Sequence, residues 1–230
     1  MCLANTTTNP QHSLGSRTFT IVVGAEKKHF SLHEDLLKRH SEYFHAAIDG
    51  PFEESSARRV QLPDNCSVDA FAIFAQFIYT GKIFIKIGTL PTEARDHEYD
   101  QIVEAWQLGD YILSISFKDA VVDALYAKIH KDDVHDIELH EVLYPLSSEM
   151  SGVRKLLIDQ VVSGWEMADL KMVKEKHGKL HELFFDVAAA VIAKRQYGVT
   201  PGSVGKPKGC EYHEHMERMG ERCYKEMFPA

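Results

Sequence analysis

The chain has 230 residues, 44% hydrophobic and 26% charged, enough for one full core and a smaller appended unit. Its 34 Asp and Glu against 26 Lys and Arg give a formal charge of -8, which repels phosphate backbones and argues against a nucleic-acid partner. No run of about 18 apolar residues exists for a membrane helix, residues 1–16 lack the pattern of a secretion signal, and Cys2, Cys66, Cys210 and Cys223 are too few for a disulfide framework, so a soluble protein of the reducing cytoplasm or nucleus is expected.

In chain order, residues 1–16 have little apolar content and no periodicity and are expected to be a flexible tail. Phe19–Val23 and His29–Leu32 flank a turn at Gly24–Lys28 and read as a β-hairpin, with Phe30 and Leu32 inward. Ser31 with Glu34 three residues on has the form of a capping box. Leu36, Leu37, Tyr43, Phe44, Ala47 and Ile48 supply the apolar positions of two short helices, which Gly50-Pro51 stops. Arg59–Leu62 alternates as a third strand, and Val68, Phe71, Phe74, Ala75 and Ile78 mark one face of a helix ending near Thr80-Gly81.

Residues 82–99 begin like a strand and continue as a polar connector containing Gly88 and Pro91. Two helices follow, one carrying Ile102, Ala105, Trp106 and Leu113, the other Phe117, Ala120, Val121 and Leu125, and they close the unit near His130. Further helical segments are expected over Ile137–Leu146, Val153–Val162 and Leu170–Gln196, the last divided at Gly178 and capped by Gly198. Thr200–Gly209 is a glycine and proline linker. The expected organisation is a mixed α/β unit over 17–130, a helical extension over 131–198, a linker over 199–209 and a terminal segment over 210–230.

The motifs Phe30, Leu32, His33, Leu36, Leu37, Ser41 and Phe44, then Phe52-Glu53-Glu54-Ser55, Leu62-Pro63 and Tyr79-Thr80-Gly81, resemble the BTB/POZ domain in order and spacing. Segments 103–111 and 153–159 are similar to the rear half of short fungal BTB proteins. The resemblance implies an α+β fold, a small three-stranded sheet flanked by a helical cluster and followed by an all-α C-terminal extension. Phe30, His33, Leu37, Ser41, Phe44, Tyr79 and Gly81 carry the fold signature. His33 reads as a turn-fixing residue whose ring bonds local backbone.

Many BTB domains bind a cullin ubiquitin-ligase scaffold through a hydrophobic residue, any residue, then an acid. Phe52, Glu53 and Glu54 fit that pattern. An exposed Phe52 ring supplies an apolar anchor and Glu54 an orienting charge; alternatively Phe52 packs on its own domain and both glutamates are solvated. The resemblance thus implies a protein-binding adaptor for a cullin-type ligase, or else a scaffold or self-association protein in gene regulation. Residues 1–16 lack the apolar stripe of the helix that swaps between subunits in dimeric members, and Arg17-Thr18 replaces the aspartate that often opens the first strand, so a swapped homodimer is not expected.

No reacting constellation is visible, and a non-enzymatic protein is expected. Phosphate-cradling glycine motifs are absent. Ser41 and His45 have no orienting acid, and His177 and His181 stand four apart across Gly178 with no third ligand. Cys210, His213, His215 and Cys223, two thiols and two imidazoles within fourteen residues, do have the composition of a closed tetrahedral zinc site. Because His213 and His215 would face opposite ways on one helix, such a site needs a turn or strand there. The alternative is an amphipathic terminal helix with Met216, Met219 and Cys223 inward. Cysteine and histidine tails in fungal BTB proteins resemble the first arrangement.

Overall fold

A computed structural model of the chain describes residues 15–85, 91–132, 137–176, 180–198, 209–215 and 222–228. The expected flexible tail up to residue 14, connector residues 86–90, His177 with Gly178, the linker over 199–208, and Met216 with Met219 lie outside the described residues.

β1 (Thr18–Val23) and β2 (Lys28–His33) form the expected hairpin, antiparallel with Phe19 opposite Leu32 and Ile21 opposite Phe30. β3 (Arg59–Gln61) runs parallel to β1 on its other side, giving the order β2-β1-β3. Phe19, Ile21 and Val23 alternate into the core from the central strand.

Between β2 and β3 stand α1 (Glu34–His40), α2 (Glu42–Asp49) and α3 (Glu53–Ala57). The expected capping box does not form. Ser31 is held in the β ladder opposite Thr20, and α1 starts from His33 without a side-chain cap. Buried Glu34 pairs instead with Arg58, which takes a left-handed conformation (φ 50°) at the end of α3, and with Arg17 at 3.5 Å. Ser41 is the residue that caps: its Oγ accepts from the Phe44 amide (3.1 Å) and donates to the Ile112 carbonyl (2.6 Å), tying the start of α2 to a residue 71 positions on.

α4 (Val68–Thr80) starts at Ser67, whose hydroxyl accepts from the Ala70 amide, and stops at Gly81 with φ 68°, as its apolar stripe and glycine require. Its Phe71, Phe74 and Phe77 meet Phe44 and Phe117 in a ring cluster with centroids 5.2–6.2 Å apart.

Residues 82–85 carry no strand, and α5 (Pro91–Tyr111) occupies positions read from sequence as connector. Proline at the first helical position forfeits no bond the helix would make, so Pro91 opens α5 rather than interrupting a loop. α6 (Ile115–Asp132) returns against α5, and α7 (Ile137–Leu143), α8 (Gly152–Gly164), α9 (Met167–Lys176) and α10 (His181–Tyr197) complete the helical region. Gly198, at φ 71°, caps α10 through its amide to the Lys194 carbonyl. A short α11 (Tyr224–Met227) follows Cys223. One apolar cluster runs from Phe19 in the sheet to Leu183 in α10. Among the described residues, no helix is long and apolar enough to cross a membrane.

Candidate functional site

Cys210, His213, His215 and Cys223 come together. All four are buried, and one donor atom from each lies within 4.8 Å of the others. The segment that brings three of them is a turn closed by the His213 amide to the Cys210 carbonyl (3.2 Å), so both imidazoles point to one side, as the sequence spacing required. The Sγ atoms of Cys210 and Cys223 stand 3.8 Å apart, and Cys223 Sγ is 3.7 Å from His213 Nδ1. Both cysteines are free, and a disulfide needs sulfurs about 2.05 Å apart. Two sulfurs each about 2.3 Å from a tetrahedral zinc ion stand about 3.8 Å apart, so the donor set and its spacing fit that ion.

Two carboxylates of α6 reach the same cluster. Asp119, 1% exposed, accepts from His215 Nδ1 (2.6 Å) and from the Glu214 amide (2.7 Å). One turn along, Asp123 faces His213 Nε2 (3.0 Å) and accepts from the Tyr224 hydroxyl (2.6 Å) and the Lys225 ammonium (2.8 Å). Burial pushes the Asp123 carboxyl up, but His213, Lys225 and Tyr224 together outweigh it and hold it below its ordinary range. Burial is the largest influence on the Cys223 thiol and pushes it up, with neighbouring Cys210 adding in the same direction. The neutral thiol of Cys223 is therefore favoured unless a cation stabilises its thiolate.

Sequence reading found the four donors from their composition but missed Asp119 and Asp123. Their spacing of four residues was available. Nothing in the sequence indicated that a partner segment about 90 residues away would cover that face.

Phe52, Glu53 and Glu54 occupy the start of α3, away from the Cys/His cluster in sequence and in elements. Phe52 is 55% exposed, and its ring lies back over Gly50, where an added Cβ would come within 2.7 Å of it. Glu54 lies near enough to Tyr43 to join burial and Tyr111 in pushing the Tyr43 hydroxyl up to about 12. The Tyr43 and Tyr111 rings are 5.6 Å apart, and the Glu42 amide donates to the Leu113 carbonyl (3.3 Å). The turn between α5 and α6, with exposed Tyr111 and Leu113, therefore adjoins the start of α2.

Of the signature residues, Leu37, Ser41 and Phe44 are buried and Phe30 is packed against the core. The His33 ring bonds the Tyr79 hydroxyl (2.6 Å) instead of local backbone, because α4 places Tyr79 within reach while His33 is held at the end of β2. Gly81 is the floor beneath Phe228, whose ring leaves no room for a Cβ (2.4 Å).

His40 stacks on Phe228 at 5.3 Å and meets the edge of Phe77 at 5.6 Å. Burial first, and the Arg39 charge second, lower its pKa from 6.5 to about 4. The folded chain thus binds this proton less readily than the unfolded chain. The His40 contribution is complete above about pH 6.5 and is lost as the pH falls toward 4, amounting to about 3 kcal/mol there. Denaturant titrations of the parent and of His40→Gln at pH 7 and pH 4 should show that much less acid sensitivity in the variant. Equal acid sensitivity would remove His40 from the account.

The family model of the BTB/POZ domain matches residues 11–108, from the N-terminal segment to within α5. No curated protein matches the chain. The Cys/His cluster and its α6 carboxylates fall outside the matched span.

Proposed function

We propose, from the match of residues 11–108 to the BTB/POZ family model, that the chain is a protein-interaction adaptor that docks a cullin-type ubiquitin-ligase scaffold through Phe52, Glu53 and Glu54 and holds a client through its helical region. The observation that carries this reading is Phe52, a large aromatic ring left 55% exposed beside an acid. Burying such a ring at the centre of an interface supplies the anchor, while Glu54 at the rim sets register and encounter rate. Affinity purification of the parent from its native cell should recover a cullin by mass spectrometry, and Phe52→Ala with Glu54→Ala should lose it. A cullin retained by the double variant, or never recovered with the parent, would count against this assignment.

A second reading, a self-associating scaffold, is supported by α10. Phe185, at 74% exposure, shares an outward stripe with Ala188, Ala189 and Ile192, while Leu183 and Ala190 face inward. Sedimentation that shows a concentration-dependent oligomer without cullin affinity would favour it.

The Cys210, His213, His215 and Cys223 cluster is proposed to hold a structural zinc. Four protein donors leave no open coordination position, which supports a structural and not a catalytic ion.

A further inference from the structure

We infer that this cluster is a metal-operated latch: the ion fastens residues 209–215 and 222–228 to α6, Asp119 and Asp123 act as positioning residues, and Phe228 is the element seated when the latch closes. The inference rests on the zinc reading above.

The ligands come from two segments. Cys210, His213 and His215 lie in the first and Cys223 in the second. Each histidine turns one ring nitrogen to an α6 carboxylate, which fixes the tautomer and leaves the other nitrogen for the ion. Asp119 additionally accepts from the backbone amide of Glu214, so the same side chain shapes the ligand turn and orients its histidine. A dication balances two thiolates; without it, weak sulfur hydrogen bonds at 3.7–3.8 Å link Cys210, Cys223 and His213.

The first segment is also seated on α8. Glu214 accepts from the Ser151 hydroxyl (3.0 Å) and the Gly152 amide (3.3 Å) and pairs with Lys118 (2.9 Å). A Cβ on Gly152 would come within 1.7 Å of the Tyr212 carbonyl oxygen. The second segment continues from Cys223 through Tyr224, bonded to Asp123, to Phe228, stacked on His40 and lying over Phe77 and Gly81. An ion held by these donors would therefore tie the α6 side of the cluster, through Cys223, to an aromatic socket made by α1 and α4. Releasing Cys223 removes the metal link between the two segments and leaves the Lys225 ammonium on the Gly209 carbonyl (2.6 Å) and the His213–Tyr224 ring contact (5.7 Å) to hold them, so the socket is uncovered more readily.

The test uses the full chain. Zinc content is measured by elemental analysis, zinc affinity by competition with a chromophoric chelator, and hydrogen exchange is followed at residues 222–228 before and after chelation. One zinc per chain is expected, with exchange at 222–228 at least about 10-fold faster once zinc is removed. Asp119→Asn and Asp123→Asn should each weaken zinc binding about 10- to 100-fold in the chelator competition. Gly152→Ala, which touches no ligand, should weaken it too by displacing the first segment. Absence of zinc would overturn both the metal reading and the latch. Zinc that binds while exchange at 222–228 is unaltered by chelation would overturn the latch alone. Asn variants with parental affinity would remove the positioning role.

Discussion

Asp186→Ala is expected to destabilise the chain by about 3 kcal/mol, the cost of leaving a buried guanidinium without its partner. Arg154 of α8 is almost fully buried and bonds Asp186 of α10 through Nε (3.1 Å) and a terminal nitrogen (2.9 Å). It also lies over the Tyr144 ring at 4.2 Å, while the Tyr144 hydroxyl donates to the same carboxylate. Burial, the largest influence on Tyr144, pushes its hydroxyl upward, and the bond to Asp186 acts in the same direction. Removing the carboxylate leaves Arg154 with the Ser147 carbonyl and the solvated Glu182 at 3.6 Å, a weak exposed partner. Arg154→Met combined with Asp186→Leu and Tyr144→Phe removes the charges and the hydroxyl together, so it should lose less than Asp186→Ala alone. Guanidinium titrations of these variants decide the point. A neutral Asp186→Ala would mean that the pair does not hold α8 to α10.

The second large effect is expected at the exposed corner, where Phe52 and Glu54 should fail in different ways. Phe52→Ala should cost about 2 kcal/mol or more in scaffold binding, seen as faster dissociation, because a buried aromatic anchor is lost. Glu54→Ala should act on association and flatten its salt dependence, because a rim charge steers encounter more than it holds the complex. Surface plasmon resonance at two salt concentrations separates the two. Phe52→Ala with an unchanged dissociation rate would show that the ring is not buried by the partner.

Much of the domain was legible from sequence because its signals are local. A short β-branched run gave β1, polar–apolar alternation gave β2 and β3, Gly81 ended the apolar stripe of α4, and Gly198 ended α10. The beginning of α5 was not legible. Its first turns are polar and carry no stripe, so the helix is recognisable from sequence only where Ile102, Ala105 and Trp106 begin to recur. The Ser31 cap failed for a different reason: pairing with Thr20 competed for the same residue and prevailed. At the Cys/His cluster, composition alone identified the ligands. Asp119 and Asp123 became recognisable only when the fold laid a distant turn across them, since an acid on a helix of mixed composition carries no local mark of its partner.

The adaptor function is tested most directly by isothermal titration of the purified parent, and of Phe52→Ala with Glu54→Ala, against a purified cullin scaffold from the same cell. The parent should bind, and the double variant should bind at least about 100-fold more weakly with its melting temperature unchanged. A parent that releases no heat of binding, or a double variant that binds as tightly as the parent, would contradict the account.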